Sequence, residues 1–115
     1  MKIKVYHNPR CSKSRKSLEI LNELGKEYSV IEYLKDTPTI DELRSIYKKM
    51  GLHPSYCIRK NETEFKENNL NRYLEDSEKM IEMMVKYPKI IERPIVVTEG
   101  KAIIARPPEK LIEIL

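Results

Sequence analysis

Residues 3–15 read IKVYHNPRCSKSR, and this stretch decides the fold. Its first four residues are typical of a short strand, and an amphipathic helix is predicted to begin within its last four residues. Cys11 is therefore expected where strand gives way to helix. Backbone N–H groups at a helix start have no partner within the helix and carry partial positive charge. Because such groups favour a thiolate, and Arg10, Lys13 and Arg15 add three cations, the pattern predicts an activated nucleophilic thiol. The alternative is a buried, inert cysteine, which the polar cationic neighbours disfavour.

The neighbouring segments predict a strand–helix–strand unit. Residues 2–6 form the first predicted strand, and residues 12–24 a helix with Leu18, Leu21 and Leu24 on one face, ended by Gly25. Residues 27–34 suit a second strand. A crossover of this length implies parallel pairing with a right-handed connection.

The middle of the chain is predicted to be helical. Thr39 and Glu42 form a capping box that opens a helix ended by Gly51. Further helices are predicted over residues 54–60, 64–69 and 77–86.

The C-terminal third changes to strand periodicity. Residues 95–98 and 101–105 predict a β-hairpin, and Pro108 can open a final helix. The order is βαβ, an all-helical insert at about 38–88, then ββα. The sequence therefore predicts an α/β fold with a thioredoxin-like mixed sheet, in a single domain over residues 1–115.

Composition favours a soluble globular protein, with 40% hydrophobic and 35% charged residues. No apolar run approaches membrane-spanning length, and there is no signal-peptide pattern. Two cysteines without a secretion signal predict a cytoplasmic protein with reduced thiols. The net charge of +4 is a weak pointer to anionic partners, and neither a helix-turn-helix nor a basic stripe indicates nucleic acid. We expect no membrane partner, no metal site and a monomer.

Several motifs together resemble the ArsC family of glutaredoxin-coupled arsenate reductases. They keep the family's order and approximate spacing over essentially the whole chain, and they are Tyr6-His7-Asn8-Pro9, Cys11, Ser14-Arg15, Ile58-Arg59-Lys60-Asn61, Glu92-Arg93-Pro94-Ile95-Val96-Val97 and Arg106-Pro107. Ser12-Lys13 stands where the best-known members carry glycine, and it resembles a related subgroup of the family.

The resemblance implies an oxyanion site. Arg59, Arg93 and Arg106 would converge on arsenate, a tetrahedral oxyanion that suits guanidinium groups because they stay charged and present paired donors. Cys11 would attack arsenic as a thiolate and displace hydroxide or water. Glutathione, as co-substrate, and then glutaredoxin would supply electrons, with no bound cofactor. The consequence in the cell would be arsenic detoxification.

The resemblance also implies supporting residues around the cysteine. His7 and Ser14 would help to hold the sulfur ionised, Arg15 would complete the positive pocket, and the Arg93–Pro94 peptide bond would be cis. Structural readings stay open: His7 as a strand-end histidine with a structural hydrogen bond, and Arg59 and Arg106 as surface arginines.

The spacing of residues after Cys11 bears on other classes of protein. A phosphatase-type loop needs Cys-x5-Arg, and residue 17 is serine, so this reading fails. A dithiol oxidoreductase needs Cys-x-x-Cys; the Cys-x-x-Ser pattern leaves a monothiol, glutathione-dependent thiol reductase as an alternative. A third possibility is a regulator of the Spx type that binds RNA polymerase, but such regulators usually carry Cys-x-x-Cys and lack His-Asn-Pro and an arginine like Arg106.

Cys57, between apolar neighbours, is expected to be a packed thiol that catalysis does not need.

Overall fold

Within residues 2–115, which the computed structural model describes, four short strands form one mixed sheet in the order β2-β1-β3-β4. The strands are Lys4–Tyr6 (β1), Ser29–Ile31 (β2), Ile95–Val97 (β3) and Ala102–Ile104 (β4). β1 pairs with β2 in parallel, β1 with β3 and β3 with β4 antiparallel. The predicted parallel crossover and the predicted hairpin are both confirmed, as is the thioredoxin-like α/β fold.

The chain divides into two compact units, residues 2–36 with 93–115, and residues 37–92. The first unit holds the sheet, the helix α1 (Ser12–Glu23) and a 3-10 helix over Pro108–Ile114. Its core is a cluster of buried side chains from the sheet, α1 and the 3-10 helix, namely Ile3, Val5, Ile20, Leu21, Val96, Ala105 and Leu111. This core fixes the junction between β1 and α1, where Cys11 lies.

Two details of the first unit differ from the prediction. Leu24 is 47% exposed, because α1 ends at Glu23 and Leu24 lies beyond its buried face. The last helix is 3-10 and not α. With three residues per turn, Pro108, Leu111 and Ile114 share one side, so Leu111 is buried while Ile112 is 51% exposed.

The second unit contains the helices α2 (Ile40–Met50), α3 (Thr63–Glu67) and α4 (Ser77–Lys86), with α2 packed against α4. The predicted cap of α2 is confirmed: the Thr39 hydroxyl accepts the N–H of Glu42 at 3.1 Å. Gly51 ends the helix in the left-handed conformation, with φ of 71°. Three 3-10 helices, Pro54–Cys57, Leu70–Tyr73 and Pro88–Ile90, complete the unit.

The prediction of one short helix over residues 54–60 is wrong at its C-terminal half. The 3-10 helix stops at Cys57, and Ile58 is extended and pairs with Ile91 in an antiparallel bridge. The N–H of Arg59 donates to the carbonyl of Ile90 at 2.8 Å, and the N–H of Glu92 donates to the carbonyl of Cys57 at 2.9 Å. Long-range pairing of a β-branched residue overrides the local helical tendency there.

None of the helices formed by residues 2–115 is both long and apolar enough to cross a lipid bilayer.

Candidate active site

Cys11 is the N-cap residue of α1, with extended backbone (φ −95°, ψ 121°), and its side chain is 9% exposed. The loop that delivers it is tightly hydrogen-bonded. The carbonyl of Asn8 accepts the N–H of Cys11 at 2.9 Å, and the Asn8 side-chain oxygen accepts the N–H of Arg10 at 3.0 Å. The sulfur is thus held at the helix start by short-range bonds of the loop.

The pKa of Cys11 is lowered by its surroundings. Burial alone would raise it, but hydrogen bonds to the sulfur outweigh burial: the backbone N–H of Ser14, the side chain and charge of Arg93, and the backbone N–H of Lys13. All of these groups stabilise the charged form. The arrangement therefore favours the thiolate form of Cys11 over that of an ordinary cysteine.

The charge at the sulfur comes from Arg93. Sequence reasoning expected Arg10, Lys13 and Arg15 to help, yet Arg10 and the Lys13 side chain are exposed, and Lys13 acts on the sulfur through its backbone. Arg93 lies just before β3, and β3 pairs with β1, which leads into the Cys11 loop. No spacing in the sequence connects Arg93 to Cys11, because the contact depends on long-range strand pairing.

Arg106 lies beside Arg93. Its Nη1 donates to the backbone carbonyl of Arg93 at 3.0 Å, and the adjacent Ala105 N–H donates to the carbonyl of Pro94 at 2.9 Å. The Arg93–Pro94 and Arg106–Pro107 peptide bonds are both cis. The start of β3 and the end of β4 thus bring two of the three predicted substrate arginines together.

His7 and Ser14 form a buried polar pair behind the loop. His7 Nδ1 and Ser14 Oγ are 2.5 Å apart, and the same hydroxyl accepts the N–H of Asn8 at 3.1 Å. Burial, helped by the charge of Arg15 and opposed by that of Glu32, lowers the pKa of His7, so the neutral imidazole is favoured. The backbone N–H of Ser14 bonds the Cys11 sulfur, so His7 lies one residue contact away from Cys11.

The Arg15 side chain bonds to the loop that precedes Cys11. Its Nη1 donates to the carbonyl of Pro9 at 2.9 Å, and its side chain is exposed. Arg15 therefore ties the first turn of α1 back to the loop.

Arg59 belongs to the second unit and is paired with two carboxylates. Its Nε donates to Glu62 at 3.1 Å and its Nη1 to Glu92 at 3.2 Å, and its side chain is 26% exposed. Sequence reasoning missed both partners. The i, i+3 spacing of Arg59 and Glu62 was a usable signal, whereas Glu92 is 33 residues away.

Cys57 is fully buried, and its Sγ is 3.9 Å from the Met50 sulfur and 4.0 Å from the His53 carbonyl. Burial, with the negative charge of Glu92, raises the pKa of Cys57 to about 12. It is therefore protonated and unreactive at neutral pH. Among residues 2–115, no three histidine, cysteine or acidic side chains lie together as a metal site would require.

The fold is that of a thioredoxin-like protein, with Cys11 at the start of its first helix. The ArsC family model matches residues 6–114, so the chain belongs to the ArsC family. It is 38% identical to an arsenate reductase of Neisseria meningitidis over 98% of this chain and 97% of that one. Its identity to the protein YfgD of Escherichia coli is 45%, with coverage of 98% and 96%. A solved arsenate reductase from Vibrio cholerae superposes with a TM-score of 0.94 at 41% identity, covering 100% of this chain and 98% of that one.

Proposed function

We propose that this protein is an oxidoreductase that reduces arsenate, with Cys11 as nucleophile and with glutathione and glutaredoxin as electron donors. The observation that carries the proposal is the lowered pKa of Cys11, with the Arg93 guanidinium at its sulfur. An anionic nucleophile next to a fixed cation suits attack on an oxyanion, because the cation offsets the repulsion between the two negative charges.

The reaction balances as a two-electron reduction. The Cys11 thiolate forms a bond to arsenic(V) and displaces hydroxide or water. A glutathione thiolate then attacks the Cys11 sulfur, and the sulfur–arsenic bond breaks with its electron pair on arsenic, which leaves as arsenite. Cys11 is left in a mixed disulfide with glutathione. Glutaredoxin would attack the glutathione sulfur and release the Cys11 thiolate.

Three arginines are assigned to the oxyanion in this proposal. Arg93 and Arg106 are supported by their mutual contact and by the contact of Arg93 with the sulfur. Arg59 is supported by the family motif that surrounds it. The carboxylate partners of Arg59 count against its assignment, because Glu62 and Glu92 neutralise its charge before any anion binds.

Turnover is the first test. Arsenite production is measured with arsenate, glutathione and glutaredoxin, with Cys11→Ser as the inactive control. We expect turnover by the wild type and none by the variant. If arsenate is not consumed while a small disulfide such as hydroxyethyl disulfide is reduced, the monothiol reductase takes the place of this proposal.

Anion binding is the second test and needs no turnover. Arsenate, phosphate or sulfate is expected to protect Cys11 competitively from alkylation by iodoacetamide. Alanine at position 59, 93 or 106 should weaken protection by about 1.5–3 kcal/mol each, the scale of a hydrogen bond to a charged group. The matched control is Arg72→Ala, because Arg72 is exposed and stacks on Tyr73.

Two of these alanine variants need a second variant as a control. Arg59→Ala also leaves two unpaired carboxylates that repel an anion, so Glu92→Gln in the same background separates the two effects. Arg106→Ala removes a bond to the Arg93 backbone, and Arg106→Lys keeps the charge. Unchanged protection in all three alanine variants would disprove the arginine assignment.

A further inference from the structure

Positive charge is concentrated at the start of the chain. The first 18 residues carry six basic side chains and no acidic one, whereas the remaining 97 carry 16 basic and 18 acidic ones. The net charge of +4 is therefore due to the segment that contains Cys11. Four of its six cations lie within five residues of the nucleophile: Arg10, Lys13, Arg15 and Lys16.

The reactive sulfur does not use most of this charge. Arg93 is the cation that bonds the sulfur, and Arg15 is tied to the Pro9 carbonyl. Arg10 and the side chains of Lys13 and Lys16 are exposed at the surface. We call these three residues the basic patch. Within it, Lys16 makes an exposed ion pair with Glu19 at 3.3 Å, a contact of small energetic weight.

The basic patch opposes the stability of its own helix. The first turn of α1 contains no acidic residue, although acidic side chains are favoured at the positive end of a helix. Lys13 and Lys16 are three residues apart on one face, where like charges repel. Departures of this kind from local preference are characteristic of functional sites.

A surface hollow adjoins the basic patch. It has a volume of about 410 Å³ and lies between the first two turns of α1 and the start of the C-terminal 3-10 helix, lined among others by Lys13 and Lys16. Two acidic side chains, Glu19 and Glu109, also line it. The hollow gives room for side chains of a partner, and the two glutamates limit the area that an acidic partner can cover.

We propose that the basic patch is the docking surface for the protein that reduces Cys11, and that this partner presents acidic side chains around its own reactive thiol. The inference rests on the proposed function, in which a glutaredoxin removes glutathione from Cys11. Transfer of glutathione requires the partner's sulfur to reach the mixed disulfide at Cys11. The partner must therefore cover the surface around the Cys11 loop, which includes the basic patch. Opposite charge on the two surfaces would steer and orient that encounter.

The step to be measured is a single thiol–disulfide exchange. The partner's thiolate attacks the glutathione sulfur of the Cys11–glutathione disulfide, and a new sulfur–sulfur bond forms. The old bond breaks with its electron pair on Cys11, where the Ser14 and Lys13 N–H groups and Arg93 receive the thiolate. The exchange can be followed on protein treated with glutathione disulfide, without arsenate, so its outcome does not depend on arsenate being the substrate.

The experiment compares two double variants of equal charge change. Arg10→Glu/Lys16→Glu alters the basic patch, and Lys26→Glu/Lys101→Glu is the control. Lys26 lies beyond the far end of α1, which is about 18 Å long, and Lys101 lies in the β3–β4 turn; both are exposed. Each glutathionylated protein is reduced by a glutaredoxin of net negative charge and, separately, by 2-mercaptoethanol, whose small thiolate has no protein surface to dock.

We expect the patch variant to react at least about tenfold more slowly than the control variant with glutaredoxin at low salt, and the gap to close at high salt. With 2-mercaptoethanol the two variants should agree within about twofold. Replacing the acidic residues around the glutaredoxin thiol by amides should abolish the difference. Equal slowing with both reductants, equal slowing of both variants, or no slowing would each overturn the docking surface. Failure of arsenate turnover with normal exchange would overturn only the proposed substrate.

Discussion

Replacement of Arg93 by alanine is expected to raise the pKa of Cys11. The Arg93 guanidinium donates a charge-assisted hydrogen bond to the sulfur and favours the thiolate. Such bonds contribute about 1.5–3 kcal/mol, and because Arg93 is only partly buried we take the lower end. A loss of about 1.5 kcal/mol lowers the thiolate fraction about tenfold at any pH below the titration midpoint.

The assay is the rate of alkylation by iodoacetamide against pH. Since iodoacetamide is neutral, the rate follows the thiolate fraction without an effect of charge on the reagent. The Arg93→Ala curve should reach its midpoint at higher pH. At a pH below the wild-type midpoint its rate should be about a tenth of the wild-type rate, while the high-pH plateaus agree. Arg10→Ala is the matched control, because Arg10 is exposed and does not bond the sulfur. Superimposable curves for wild type and Arg93→Ala would refute the assignment of Arg93 as the cation at the thiolate.

Three further predictions concern single side chains. Cys57→Ser should keep near-normal turnover with glutathione and glutaredoxin, whereas Cys11→Ser should lose it; a trapped disulfide between the two cysteines in wild type, with an inactive Cys57→Ser protein, would replace the monothiol mechanism. Thr39→Ala should lower the free energy of unfolding in urea by about 1 kcal/mol through loss of the helix cap, with exposed Thr63→Ala as a near-neutral control. Because burial lowers the pKa of His7 from 6.5, the neutral form contributes stability that is present above about pH 6.5 and is lost as the pH falls through the lowered value. His7→Gln should flatten the dependence of the free energy of unfolding on pH in that range. An unchanged dependence on pH in the variant would contradict the lowered pKa.

The sequence predicted those parts of the fold that local patterns control. The cap at Thr39, the stop at Gly51 and the helix start at Cys11 each depend on residues within a few positions. The hairpin was visible from two apolar runs around Glu99-Gly100. Prediction failed at Ile58, which local pattern assigns to a helix and which long-range pairing with Ile91 makes extended.

In the candidate site too, the sequence predicted local contacts and did not predict long-range ones. The backbone donors to Cys11 from Lys13 and Ser14 follow from its place at the helix start. The contact of Arg93 with the sulfur and the bond from Arg106 to the Arg93 carbonyl depend on strand pairing, so the residues alone could not reveal them. The exposed positions of Arg10 and Lys13 were likewise invisible, because sequence distance does not report the direction of a side chain.

The placement of Arg93 has a consequence for biosynthesis. Cys11 is made early, but the guanidinium that lowers its pKa is 82 residues further along, on a segment that joins β1 only through β3. A growing chain that has not reached Arg93 lacks this charge beside Cys11. The contribution of Arg93 to the lowered pKa of Cys11 therefore arises only when β3 has joined the sheet.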